Sequence, residues 1–426
     1  MCEKRKDESE LIMQQEEYSG QMKVSVVSSV GQVPIPGAVV KISYTGDPGN
    51  PLVTLTTDES GQTPDIRLAA PPVALSLSPG EERQPYAEYN LSVEAEGYEP
   101  VLVSGSEILA EELSLQAIQM NPLELTEEET KIVVIPAHTL FGDYPPKIPE
   151  DEIKPMDETG EIVLSRVVIP EYIIVHDGVP SDSSAGNYWV RYKDYIKNVA
   201  CSEIYPTWPE FMIYANILAI QFFTLNRVYT EWYRNQGYDF TITSSTAYDH
   251  KWIYGRNIYE DISYLVDSVF ANYLSRPGVR QPIFTSYCDG QRVTCQGLSQ
   301  WGSKYLGDEG YSAIEIIRYY YGNDMYINTA EQISGVPSSF PGYDLSVGSA
   351  GEKVRQMQQQ LNRIARDYPA LPTLVADGIY GPATERAVRT FQRIFDLPQT
   401  GIVDYPTWYE ISDIYVGVSR IAEPGT

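Results

Sequence analysis

Few residues in this chain have chemistry to offer. The stretch Cys201–Glu210, CSEIYPTWPE, sets one acid, Glu203, just before an aromatic, proline-marked turn. Tyr205 and Trp208 flank it and could supply an apolar wall. Such a wall lifts a carboxyl's pKa toward neutrality, where it can donate a proton. The competing reading is a surface glutamate at a helix end, the usual fate of that residue type. Further along, GLSQWG carries Ser299, Gln300 and Trp301. Its serine and glutamine could hydrogen-bond a sugar, or simply close the turn. The spacing is not that of a G-x-S-x-G nucleophile elbow. With only His138, His176 and His250 in the chain, a serine triad is disfavoured. His176, in VHDG, reads as a structural residue at a strand end. Cys288 and Cys295 flank DGQRVT, a spacing that suits a disulfide-closed hairpin. Zinc, with His250 or Cys201 added, ranks second, because two cysteines seven apart without a CxxC are weak evidence. There is no P-loop and no dinucleotide fingerprint. No metal or cofactor is therefore expected.

Composition narrows the partners. The chain has 426 residues, with 58 acids against 31 bases and a net charge of −27. That surface repels nucleic acid and anionic membranes, and no basic patch offsets it. The 33 tyrosines each offer an apolar face and a polar tip, which suits sugar-like ligands, although most tyrosines fill cores and sheet faces. Four cysteines do not make a disulfide-dense scaffold. The first twenty residues are polar, read as a disordered tail, and hold no apolar stretch of signal-peptide length. Met212–Leu225 is apolar but short for a bilayer span and carries Asn216 and Gln221, so no membrane insertion is expected.

The elements that must position these residues fall into three groups, so the expected fold is multidomain. Residues 21–122 alternate or run β-branched between turn signals and predict an all-β sandwich. Residues 123–168 are acidic and proline-bearing and read as a linker or wrapping segment, in which TEEETKIVVIP could add a strand to a neighbour. Residues 169–328 predict a mixed α+β domain. YIIVHDG and NYWVRY read as strands, and YKDYIKNVACSEI as a helix. A long helix then opens near Trp208, with Thr207 and Glu210 forming a capping box and Pro209 in the first turn. Its stripe of Phe211, Ala215, Leu218, Ala219, Phe222 and Leu225 is core. YGRNIYEDISYLVDSVFANYLSRPG predicts another amphipathic helix. A third starts at Ser312 as N-cap. Residues 329–343 form a second linker, and 344–426 a small three-helix domain. Within that last segment, DGIYGPATERAV recurs as TGIVDYPTWYEI, so that Gly378 matches Gly401 and Thr384 matches Thr407.

Three resemblances follow. PIPGAVVKI, TTDESGQT and YNLSVEAEGYEPV occur in the order of the prealbumin-like, carboxypeptidase-regulatory-like sandwich, a module whose members are usually adhesive or spacing elements, and its protein partner here is unknown. The segment LSVGSAGEKVRQMQQQLNRIA with both glycine-turn repeats resembles the small peptidoglycan-binding domain, with Gln358, Phe391, Gln392 and Trp408 in the expected places. YKDYIKNVACSEIYPTWPEFMIYANILAIQFFTL and GLSQWGSKYLGDEGYSAIEIIRYYYG together resemble the stage II sporulation protein D family. That family contains lytic transglycosylases, which cleave peptide-free glycan strands. The resemblance implies Glu203 as the catalytic acid, Tyr205, Trp208, Ser299, Gln300 and Trp301 as substrate contacts, and peptidoglycan glycan strands as partner. It also implies a bacterial cell-wall or spore-associated location. The chain departs from the family pattern in three places. Thr294 stands where a histidine precedes the Ser-Gln element, Gln221, Phe222 and Phe223 replace Arg-Thr-Tyr, and the stretch from Ile283 to Gly297 is short. The alternative is a wall-binding scaffold whose enzyme-like core has lost activity.

Overall fold

The computed structural model describes residues 18–123, 130–152, 167–279, 282–330, 332–333 and 340–419. Residues 1–17 of the expected tail, 124–129 and 153–166 of the expected first linker, and part of the second linker lie outside them. The chain is multidomain, with a β-rich N-terminal region, a mixed α/β middle and C-terminal helices.

In the N-terminal region the β-branched alternation gives eight strands: β1 (Ser19–Ser28), β2 (Val39–Tyr44), β3 (Val53–Thr56), β4 (Ile66–Ala69), β5 (Ala87–Glu94), β6 (Val101–Ile108), β7 (Leu113–Met120) and β8 (Lys131–Val134). One sheet runs β3-β2-β5-β6-β8 and the other β7-β1-β4. Their inward positions, among them Val24, Val26, Val40, Leu91 and Val103, form one core. Strand β8 comes from the expected linker and pairs in parallel with β6 over Val101–Ser104. The second sheet is completed by Ile258–Tyr259 of the middle region, which pairs with β7.

The middle region is built on two helices. Tyr192–Glu203 ends at the acid, and Glu210–Tyr229 follows. The second helix is long and apolar enough to cross a membrane, but 83% of that window is buried inside the protein. A helix covered all round is a core helix. It begins at Glu210 with Pro209 as N-cap and no side-chain cap, so the expected capping box does not form. The Thr207 hydroxyl instead lies 2.7 Å from that of Ser76, on a helical turn beside the sandwich, and the Trp208 indole donates to the Ser76 carbonyl. Tertiary partners have outcompeted the local cap. The Ser312 capping box with Glu315 is present. The predicted helix after Tyr254 is shorter than expected. Ile258–Tyr259 is a strand, Glu260–Val269 is helix, and Asn272–Ser275 is a strand paired antiparallel with Tyr326–Thr329.

The C-terminal helices Glu352–Ile364, Pro382–Ile394 and Tyr405–Ser419 share one continuous core with the middle region. Lys193 sits between Asp267, Glu410 and Asp413 at 3.3, 3.1 and 2.6 Å, joining the two regions by ion pairs. Lys23 reaches Asp396 at 2.5 Å from the sandwich side. Arg256 and Glu107, both buried, pair at 2.7 Å between the sandwich and the middle. The three regions are therefore packed against one another.

Candidate functional site

Glu203 closes its helix with a side chain that is 0% exposed. One carboxylate oxygen accepts the Lys251 backbone N–H at 2.6 Å, and the other accepts the Gln300 side-chain amide at 3.3 Å. The turn containing Gln300, 97 residues away, thus meets the acid. Tyr287, Tyr144 and Lys147 complete the surroundings, each close enough to perturb it electrostatically or be perturbed by it. Burial raises the carboxyl above the usual glutamate range. The Lys147 charge, Tyr287, the Lys251 N–H and Gln300 pull the other way without cancelling that rise. Burial also lowers Lys147 to about 8, against the raising effect of Glu203 and Asp249. The site therefore holds a carboxyl biased toward its protonated form next to an amine biased toward its neutral form.

What covers the acid is the segment after β8. Residues 138–152 cross the middle region as an irregular strap. Thr139 donates backbone and side-chain hydrogen bonds to the Ser202 carbonyl, and Arg292 holds the Thr139 and Gly142 carbonyls. Ile148 N–H reaches the Ala247 carbonyl at 2.8 Å. Glu150 takes two bonds from Arg227, whose Nε also meets Asp249 at 2.6 Å. Between these anchors Tyr144 is buried within electrostatic reach of Glu203, and its hydroxyl has no hydrogen-bond partner among the described residues. The carboxyl is thus closed off from solvent.

The other site residues divide. Tyr205 stacks on His138 at 4.5 Å and lies edge-on to Trp301 at 6.3 Å, while Trp208 packs on Trp301 at 5.0 Å. Trp208 is sealed against Ser76 and lines none of the described clefts. Ser299 accepts the Gly302 N–H at 2.8 Å as the N-cap of Gln300–Asp308, and its hydroxyl also meets Tyr320. Gly290 makes that turn possible. Its φ is +78°, and a Cβ there would stand 1.8 Å from the Ser299 oxygen. Tyr205 and Trp301 reach a cleft of about 370 Å³, bordered by Phe141, Arg292 and the 78–85 loop of the N-terminal region. Cys288 and Cys295 form a disulfide, so neither thiol is free for zinc. His176 stacks on Phe240 and bonds Asn187, in keeping with a structural role. Sequence reasoning missed Tyr144, Lys147, Tyr287 and Lys251. The sequence carries no signal linking the first two to an acid more than fifty residues away.

The C-terminal repeat is explained by two buried glutamines. Gln358 accepts the Gly378 N–H at 2.9 Å and donates toward Ile379 O and Thr384 Oγ1. Gln392 does the same with Gly401, Ile402 and Thr407. Each glycine sits at positive φ. The motif is thus two copies of one loop lock.

Residues 350–411 match the family model of a peptidoglycan binding domain. No curated protein matches the chain. Among solved structures, the chain is similar to the minor pilin of Streptococcus agalactiae, at 15% identity and TM-score 0.18 over 31% of this chain and 48% of that one. It is also similar to 3-chlorocatechol 1,2-dioxygenase of Rhodococcus opacus, at 16% identity and TM-score 0.16 over 24% and 59%. Catechol 1,2-dioxygenase of Acinetobacter gives 13%, 0.17, 27% and 58%. The chain spans less than two thirds of each of these structures.

Proposed function

We propose that this protein binds bacterial peptidoglycan through residues 350–411 and cleaves peptide-free glycan strands as a lytic transglycosylase, with Glu203 as its acid. The observation that carries the catalytic part is the Glu203 carboxyl, raised by burial and held by Gln300 of the second sequence element. Such a group protonates the glycosidic oxygen as the C1–O bond breaks. As carboxylate it then takes the proton of the 6-hydroxyl on the same N-acetylmuramic residue, whose oxygen closes on C1. The product carries a 1,6-anhydro ring, the proton returns to Glu203, and no water is consumed. One carboxyl suffices, whereas hydrolysis would normally need a second. Gln300 and the Lys251 N–H orient the carboxylate in its basic half-cycle. Trp301 and Tyr205 offer ring faces to the sugar. The wall-binding region keeps the glycan near at hand, which raises its effective concentration. The compartment consistent with this is the cell wall, and spore cortex is one form of it.

A second reading is a wall-binding scaffold with an inactive core. The burial of Glu203 beneath Tyr144 and Lys147 favours it. Incubation with peptide-free glycan strands separates the two. Anhydro-muramic ends from the parent and none from Glu203→Gln support the lytic reading. No cleavage by a folded parent that still pellets with wall material refutes it and leaves the scaffold.

A further inference from the structure

We propose that the two clefts at either end of the strap are the ends of one groove for a peptide-free oligosaccharide, closed at its middle by residues 142–148. This rests on the glycan-strand reading of Glu203 and adds to it the path of the ligand and the element that blocks it.

The first end is the cleft of about 370 Å³ at Tyr205, Trp301 and Phe141. Tyr205 and Trp301 line it although each is largely buried. The second end is a larger cleft of about 650 Å³, walled by Tyr238, Tyr248, Gln236, Gln296 and Asp151. Aromatic faces among neutral amides and the acids Glu150 and Asp151 suit the apolar faces and hydroxyls of sugar rings. The strongly acidic chain disfavours an anionic ligand there.

Chain order sets Glu203 between the two clefts. Along the strap, Leu140 and Phe141 wall the first cleft, Tyr144 and Lys147 lie at Glu203, and Ile148–Asp151 wall the second. The disulfide hairpin runs beside it in the same sense, with Gln291 and Arg292 at the first cleft and Gln296 at the second. From Phe141 to Ile148 the chain spans at most about 25 Å. The strap passes Glu203 between the two clefts, and its reach limits the distance between them to a few sugar rings.

The strap is held at Gly142 by Arg292, at Ile148 by the Ala247 carbonyl and at Lys147 by the Asp249 carbonyl, and is irregular between them. Within 142–148 no residue belongs to a helix or strand, and Pro145 and Pro146 are exposed. The Tyr144 hydroxyl is buried without a partner beside the acid. A buried hydroxyl left unpaired is costly, so its seat is better satisfied by a hydroxyl-rich occupant than by the strap.

The test uses the full chain and the N-acetylglucosamine hexamer, which carries no peptide. Glu203 is modified with a water-soluble carbodiimide and glycinamide, and its labelling is read by peptide mapping. The groove predicts that Tyr144→Ala/Pro145→Gly labels at Glu203 at least tenfold faster than the parent. Hexamer should bind that variant at least tenfold tighter and suppress its labelling. Adding Tyr238→Ala should weaken hexamer binding at least fivefold. Hexamer held elsewhere on the chain would not protect Glu203, and that outcome counts against the groove. If the double variant melts early, Pro145→Gly/Pro146→Gly, altered only at exposed positions, carries the same test. Glu203 as unreactive as in the parent, once exchange at the Ile148 amide shows the strap lifted, overturns the proposal. So does hexamer binding indifferent to Tyr238→Ala. A hexamer that protects Glu203 in a variant forming no anhydro ends supports the groove and sinks the lytic reading.

Discussion

Replacing Gln392 by methionine tests the loop lock that underlies the wall-binding region. Methionine keeps the unbranched shape and removes the amide. Gln392 is fully buried. Its oxygen accepts Gly401 N–H at 2.9 Å, and its nitrogen faces Ile402 O at 2.8 Å with Thr400 Oγ1 and Thr407 Oγ1 each at 3.1 Å. An amide nitrogen has two hydrogens, so three bonds form at any moment. At about 0.5–1.5 kcal/mol net per bond, the loss is about 3 kcal/mol, with the orphaned Gly401 N–H at the upper end of that range. Local opening should become easier by that amount, and amide exchange at Gly401 should speed up about 100-fold. Hydrogen exchange by mass spectrometry reads this directly and avoids assuming two-state unfolding of a multidomain chain. The twin loop at Gly378 is held by Gln358, so its exchange should change no more than about threefold. Gly401 changing by less than fivefold would refute the loop-lock reasoning. Equal acceleration at Gly378 would show that the region opens as a whole.

Other expectations concern the acid, the inter-region clamp and the hairpin. Burial holds the folded Glu203 carboxyl above its unfolded value, near 4.3, so the folded state retains a proton the unfolded chain has released. That stabilising contribution is complete below the unfolded value and is lost as pH rises through the folded one. Glu203→Gln should therefore raise the melting temperature at pH 8, with the gain vanishing near pH 4; a gain independent of pH would refute this. Lys193→Met leaves Glu410 and Asp413 without their shared cation and should cost about 3–5 kcal/mol. Faster hydrogen exchange in Tyr405–Ser419 is the readout, and unchanged exchange would mean the clamp does not hold the regions together. Opening the Cys288–Cys295 loop with Cys295→Ser should cost the hairpin about 2.5 kcal/mol by loop-closure entropy. Unchanged exchange between residues 288 and 299 would contradict that.

Local pattern carried far in this chain. The β-branched alternation of Lys23–Val27 and Val101–Val103, the proline-bounded helix Pro382–Ile394 and the glycine echo at Gly378 and Gly401 are all readable, because each depends on contacts within a few tens of residues. The Ser312 cap and the disulfide hairpin are readable for the same reason. Where local signals faced long-range partners, they lost. Thr207 and Glu210 spell a capping box, yet Ser76, 131 residues away in sequence, takes the hydroxyl. The amphipathic stretch around Tyr259 breaks because β7 offers Ile258 and Tyr259 an open sheet edge.

The acid shows the same division. Its sequence surroundings determined that Glu203 ends a helix before an aromatic turn, and that the chain carries a wall-binding region at its C-terminal end. The identity of Glu203's neighbours was a tertiary decision. Tyr144 and Lys147 lie in a proline-bearing stretch with no periodicity, so nothing local aims them anywhere. They reach the carboxyl because Arg292, Arg227 and Ala247, drawn from distant elements, fix both ends of the strap. Whether a carboxyl is open or covered depends on which segments fill the space above it, and only the packed chain specifies that.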